Sequence, residues 1–136
     1  MLKKFKLSKL IATTAAVAFA AGIGFKANAE TLTVYTAVEA EDLKKYAARF
    51  NEEHPDIKIK WVRDSTGIVT AKLLAEKNNP KADIVWGLAA TSLMLLGNEG
   101  MLAPYSPKGV EMLDPKFRDS ANPTSWTGMD AWVASI

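Results

Sequence analysis

From Thr31 onward the chain repeats one pattern three times: a short run suited to a strand, then a longer run suited to a helix. TLTVYTA, Thr31 to Ala37, is β-branched and aromatic and suits a buried strand. Leu43, Tyr46, Ala47 and Phe50 then fall at i, i+3, i+4 and i+7, with charged residues on the other faces. That spacing predicts an amphipathic helix from Glu39 to about Glu53, stopped by His54-Pro55. IKIKWVR, Ile57 to Arg63, alternates apolar and basic residues with the period of a half-buried strand. A second helix is predicted from Ile68 to about Lys77, a short buried strand over Asp83 to Trp86, and a third helix over Ala90 to Leu96. Beyond Pro104 the text is rich in Pro and Ser as far as Trp126 and reads as surface connection, with one helical turn around Lys108 to Leu113.

Strands that alternate with helices imply an α/β fold, a mainly parallel sheet flanked by helices and joined by right-handed crossovers. In open sheets of this kind ligands sit beyond the carboxyl ends of the strands. Three loops are thereby expected in one crevice: Thr36 to Glu39, Arg63 to Gly67 and Gly87 to Thr91.

The first 29 residues read as a targeting segment outside the fold. Lys3, Lys4, Lys6 and Lys9 form a basic start, an apolar run follows from Leu10 to Phe25, and Ala27-Asn28-Ala29 is a small-x-small cleavage pattern. Cleavage is expected before Glu30. The apolar run falls short of the roughly 20 residues that a membrane-spanning helix needs. The segment holds five of the 17 Lys and Arg residues and none of the 15 acidic ones, so the remainder carries twelve basic against fifteen acidic side chains, a net −3. That balance gives no footprint for nucleic acid. No cysteine is present, which excludes a disulfide framework and a lipid-modified cysteine after the leader. Free residence in the periplasm is expected. DAWVASI stops in a strand-like run with no turn or cap, which reads as a truncated chain.

RDSTG, Arg63 to Gly67, offers the Ser65 and Thr66 hydroxyls and several backbone donors at a helix start, where the helix dipole also favours negative charge. The dipole contributes about 0.3 to 1 kcal/mol, far short of the roughly 8 kcal/mol of micromolar binding, so many further donors are needed. The alternative is that Ser65 or Thr66 is an ordinary helix cap. Glu39, at the start of the first helix, suits an amine or hydroxyls, or else only compensates the dipole. Trp86 walls the pocket or belongs to the core. His54 is the only histidine and stands at a helix end; no phosphate-loop, nucleophile-elbow or zinc motif is present, so neither an enzyme nor a metal or cofactor site is expected.

Taken together, LTVYTAVEAEDLKKYAARFNEEHPDIKIKWVRDSTG, KLLAEKNNPKADIVWGLAATSL and EGMLAPYSP resemble the amino-terminal lobe of an ABC-transporter periplasmic solute-binding protein. The resemblance is to the branch that includes 2-aminoethylphosphonate-binding and ferric-iron-binding proteins. It implies a type II periplasmic-binding-protein lobe over residues 30–125, with 126–136 opening the crossover strand toward a second lobe that the chain lacks. In the ferric branch a histidine follows the first strand and a glutamate the third. Glu39 and Leu88 stand at those positions here, which speaks against a ferric site of that kind. The resemblance instead implies binding of 2-aminoethylphosphonate or a related organophosphonate. Thr36, Ala37, Glu39, Ser65, Thr66, Gly67, Trp86 and Leu88 would form the site: Ser65, Thr66 and Gly67 on the phosphonate, Glu39 on the ligand amine. Ferric iron, a sugar phosphate, or no function at all for a fragment are the alternatives. The implied partners are a small anionic or zwitterionic solute and an inner-membrane ABC permease, with the binding protein a monomer.

Overall fold

A computed structural model describes residues 30–131. Three strands alternate with three helices: β1 Glu30–Thr36, α1 Ala40–Glu53, β2 Ile57–Arg63, α2 Thr66–Ala75, β3 Ile84–Trp86 and α3 Ala90–Asn98. Two 3-10 turns follow, Val110–Met112 and Pro115–Phe117, where the sequence predicts one helical turn. The sheet runs β2-β1-β3 and both pairings are parallel. Thr36 lies level with Arg63 on one side and with Trp86 on the other, so all three strands end on one rim.

Alternation along the strands separates two faces. Tyr35 sits between Val62 and Val85 and belongs to a buried cluster with Val69 and Leu73 of α2, Leu88, and Leu96 of α3. The opposite face presents Leu32, Val34, Ile59, Trp61, Ile84 and Trp86 around an apolar groove of about 300 Å³, closed on one side by Tyr46 and Phe50 of α1. Tyr46 meets Trp86 edge to face at 5.0 Å between centroids, and Trp61 lies 5.8 Å from the same indole. Such aromatic pairs are worth about 0.5 to 1.5 kcal/mol beyond the area they bury. The α/β layer order is therefore α1, sheet, then α2 with α3, as the strand-helix alternation requires.

One side-chain network ties the sheet to α2. The Tyr35 hydroxyl donates to Glu76 at 2.8 Å, and Lys72 donates to the other oxygen of that carboxylate at 2.8 Å. Lys72 and then Tyr35 hold the Glu76 carboxyl below the usual glutamate range, whereas burial, then the bond to the carboxylate, push the Tyr35 phenol up. Tyr35 keeps its proton and serves as a fixed donor at the end of α2.

The second helix departs from its predicted bounds. It starts at Thr66, two residues before Ile68, and ends at Ala75 rather than near Lys77. Hydrophobic periodicity finds the first apolar residue, but a first helical turn has no intrahelical acceptors to satisfy its N–H groups and tolerates Thr and Gly. Its buried line also differs, running through Val69, Thr70 and Leu73 while Ile68 is exposed. Thr70 is accommodated because its hydroxyl donates to the Thr66 carbonyl at 2.6 Å.

Past α3 the chain is organised by side chains rather than by ladders. Buried Thr124 donates through Oγ1 to the Tyr105 carbonyl at 2.9 Å, and its N–H donates to Ser106 Oγ at 3.0 Å. One Asp119 oxygen accepts both the N–H and the hydroxyl of Ser125, which lowers the carboxyl below its ordinary value. The strand expected over Trp126 to Ile136 falls outside the described residues from 132 onward. Across 126–131 the chain makes one antiparallel bridge, Thr127 with Arg118, and no strand. The leader predicted over residues 1–29 also lies outside the described residues.

Candidate functional site

Parallel strands deliver their carboxyl ends, and hence the first turns of α1, α2 and α3, to one rim of the sheet. The three connecting loops are short. Ala37 to Glu39 joins β1 to α1, Asp64 and Ser65 join β2 to α2, and Gly87 to Ala89 join β3 to α3. An open cleft of about 1520 Å³ runs along this rim and down the outer edge of β3. Ala37, Glu39, Thr66, Trp86 and Leu88 all line it, so five of the eight residues expected at the site share one cavity.

The other three are placed differently. Thr36 is fully buried, and its hydroxyl accepts the Val38 N–H at 3.1 Å, shaping the first loop from beneath. Ser65 occupies the N-cap position of α2 in extended backbone without a side-chain cap bond, and its carbonyl accepts the Val69 N–H at 3.0 Å. Its own N–H already donates to Asp64 at 2.7 Å. The anion-binding capacity of this helix start therefore rests on the next three N–H groups, those of Thr66, Gly67 and Ile68, which find no acceptor among the described residues. Gly67 carries open space where a side chain would stand, so a ligand can approach its backbone closely.

Two residues that the sequence places in the crevice loops without assigning them a role complete the rim. Gly87 follows β3 with φ +68°, and a Cβ there would lie 2.2 Å from Val38 Cγ2. The β1–α1 and β3–α3 loops pack so closely that only glycine fits; a glycine directly after a buried strand is the sequence signal for such a contact. Arg63, the last residue of β2, donates through Nε to the Val38 carbonyl at 2.7 Å and through Nη2 to the Glu39 carboxylate. Its signal in the sequence is a cation at the carboxyl end of IKIKWVR, directly after the apolar pair Trp61-Val62. Glu39 is thus already engaged by a cation of its own chain. No group of three or more His, Cys, Asp or Glu side chains that would hold a metal occurs among the described residues.

The family model described as bacterial extracellular solute-binding protein matches residues 36–133, most of the chain. The chain belongs to that family. Its periplasmic localisation and its α/β fold agree with the sequence reading, and solute-binding proteins form a class of binding rather than catalytic molecules. A probable ABC transporter periplasmic-binding protein of Sinorhizobium fredii, y4fP, is 37% identical over 115 residues, 85% of this chain and 31% of that protein. The chain spans about a third of the length of the curated relatives that it matches. The structure of the periplasmic binding protein AfuA from Actinobacillus pleuropneumoniae, with exogenous fructose-6-phosphate bound, is similar with a TM-score of 0.61 and 29% identity, over 71% of this chain and 30% of that one. The ferric binding protein of Campylobacter jejuni is similar with a TM-score of 0.57 and 26% identity, over 65% of this chain and 28% of that one.

Proposed function

We propose that this chain forms one lobe of the solute-binding component of an ABC importer, and that its rim receives the phosphoryl or phosphonyl group of a small solute. The observation that carries the reading is the convergence of three helix first turns on one cleft, with the Thr66, Gly67 and Ile68 N–H groups unpaired among the described residues. A phosphorylated sugar fits better than 2-aminoethylphosphonate. An aminophosphonate needs a carboxylate for its ammonium, and the expected one, Glu39, is occupied by Arg63. A sugar presents hydroxyls instead. AfuA, with its fructose-6-phosphate, supports the same choice by similarity. Family membership supports an inner-membrane permease as the partner, and closure of a second lobe over the solute is part of the same proposal.

A chain that spans about a third of its relatives' length is expected to bind its solute weakly, at about millimolar affinity or roughly 4 kcal/mol, which suits a ligand-observed measurement. The ³¹P resonance of fructose-6-phosphate is expected to broaden on addition of the protein and to sharpen again when excess inorganic phosphate is added, with the ligand recovered unchanged. Saturable quenching of tryptophan fluorescence by ferric citrate, with no ³¹P broadening of the sugar phosphate or of 2-aminoethylphosphonate, would replace this reading with a ferric one.

A further inference from the structure

Resting on that reading, we propose that Arg63 is a positioning residue that sets the charge class of the solute by taking Glu39 out of the cleft's electrostatics. Three carboxylates stand at the carboxyl rim: Glu39 and Asp42 line the cleft, and Asp64 sits at the start of α2 with one oxygen on the Ser65 N–H. Lys77 and Lys81 line the same cleft, but beyond the end of α2 and before β3, and so at the opposite end of the sheet. At the rim itself Lys45 pairs with Asp42 at 3.2 Å, and Arg63 is the cation that reaches Glu39. Its two contacts have different consequences. Nε on the Val38 carbonyl pins the β1–α1 loop, which also packs on Gly87. Nη2 on Glu39 neutralises a carboxylate that would otherwise repel an approaching anion and attract an ammonium group.

With the pair intact the rim admits a solute that is anionic throughout. With Arg63 removed, Glu39 becomes a free carboxylate and the preference moves toward a zwitterion. The guanidinium is about one third exposed and Glu39 largely so, which keeps the effect moderate and salt-sensitive.

The test compares wild type, Arg63→Gln, Glu39→Gln and the double variant, each titrated with fructose-6-phosphate and with 2-aminoethylphosphonate by ³¹P line broadening. Arg63→Gln is expected to weaken the sugar phosphate about three- to tenfold and the aminophosphonate less, or not at all. Adding Glu39→Gln to Arg63→Gln is expected to return sugar-phosphate affinity to within about twofold of wild type, and 0.5 M salt to shrink the Arg63→Gln penalty. A purely structural role for Arg63 predicts equal losses for both ligands and no rescue by the second substitution, and that result overturns the inference while leaving the proposed function standing. Absence of any ³¹P response in the wild type overturns both.

Discussion

Replacing Gly87 by alanine lowers the unfolding free energy by about 2 to 5 kcal/mol, measured by urea denaturation. Two costs combine. A left-handed backbone costs a non-glycine residue roughly 1 to 2 kcal/mol, and forcing a methyl into a filled space costs about 1 to 3 kcal/mol more. The opposing atom, Val38 Cγ2 at 2.2 Å, belongs to a β-branched side chain that cannot simply swing aside. Adding Val38→Ala to Gly87→Ala recovers the packing cost and leaves the backbone cost, so the double variant is more stable than Gly87→Ala alone. Because the same contact spaces the first and third loops, the single variant also loses solute binding under conditions where it remains folded. A change of less than about 0.5 kcal/mol in Gly87→Ala would show that the loops are not in contact.

Gly67→Asp separates binding from stability in the opposite sense. A Cβ at Gly67 meets no atom within 4 Å, so the new side chain starts in open space. A carboxylate in the first turn of α2 interacts favourably with the helix dipole, by about 0.3 to 1 kcal/mol, and aspartate has slightly better helix propensity than glycine. The thermal midpoint therefore stays level or rises. Phosphate binding at the Thr66 to Ile68 N–H groups is expected to fall at least tenfold, because a fixed anion now occupies the position that the solute's anion would take. Gly67→Ala provides the comparison, with stability again maintained and binding reduced far less. Equal binding by Gly67→Asp and wild type places the anion elsewhere.

Much of this molecule is legible in the residues alone, for a reason visible in particular elements. β1, β2 and β3 carry period-2 or short apolar runs, α1 shows a clean Leu43, Tyr46, Ala47, Phe50 stripe, and the breaks after α1, α2, β3 and α3 are marked by Pro, Asn or Gly. Local chemistry and global topology agree at those points. The parallel order then follows, and with it the rim where the loops gather. What escaped was pairwise. That Ser65's N–H is spent on Asp64, that Glu39 is held by an arginine 24 residues away, and that Val38 closes on Gly87 are facts of spatial neighbours that periodicity does not encode. The same limit explains α2: its polar first turn gives no hydrophobic signal, so Thr66 and Gly67 read as loop although they are helix. On the proposed reading the start of α2 offers an anion the Thr66, Gly67 and Ile68 N–H groups, with the Ser65 N–H spent on Asp64 and the Glu39 carboxylate on Arg63.

Backbone amide shifts of ¹⁵N-labelled protein, followed through a titration with fructose-6-phosphate, test whether this rim is the anion cradle. The largest, saturable downfield shifts are expected at Thr66, Gly67 and Ile68, with smaller ones at Ala37, Glu39 and Leu88 around the same cleft. Shifts that leave the start of α2 untouched and cluster instead on the apolar face around Trp61 and Ile84 would contradict it.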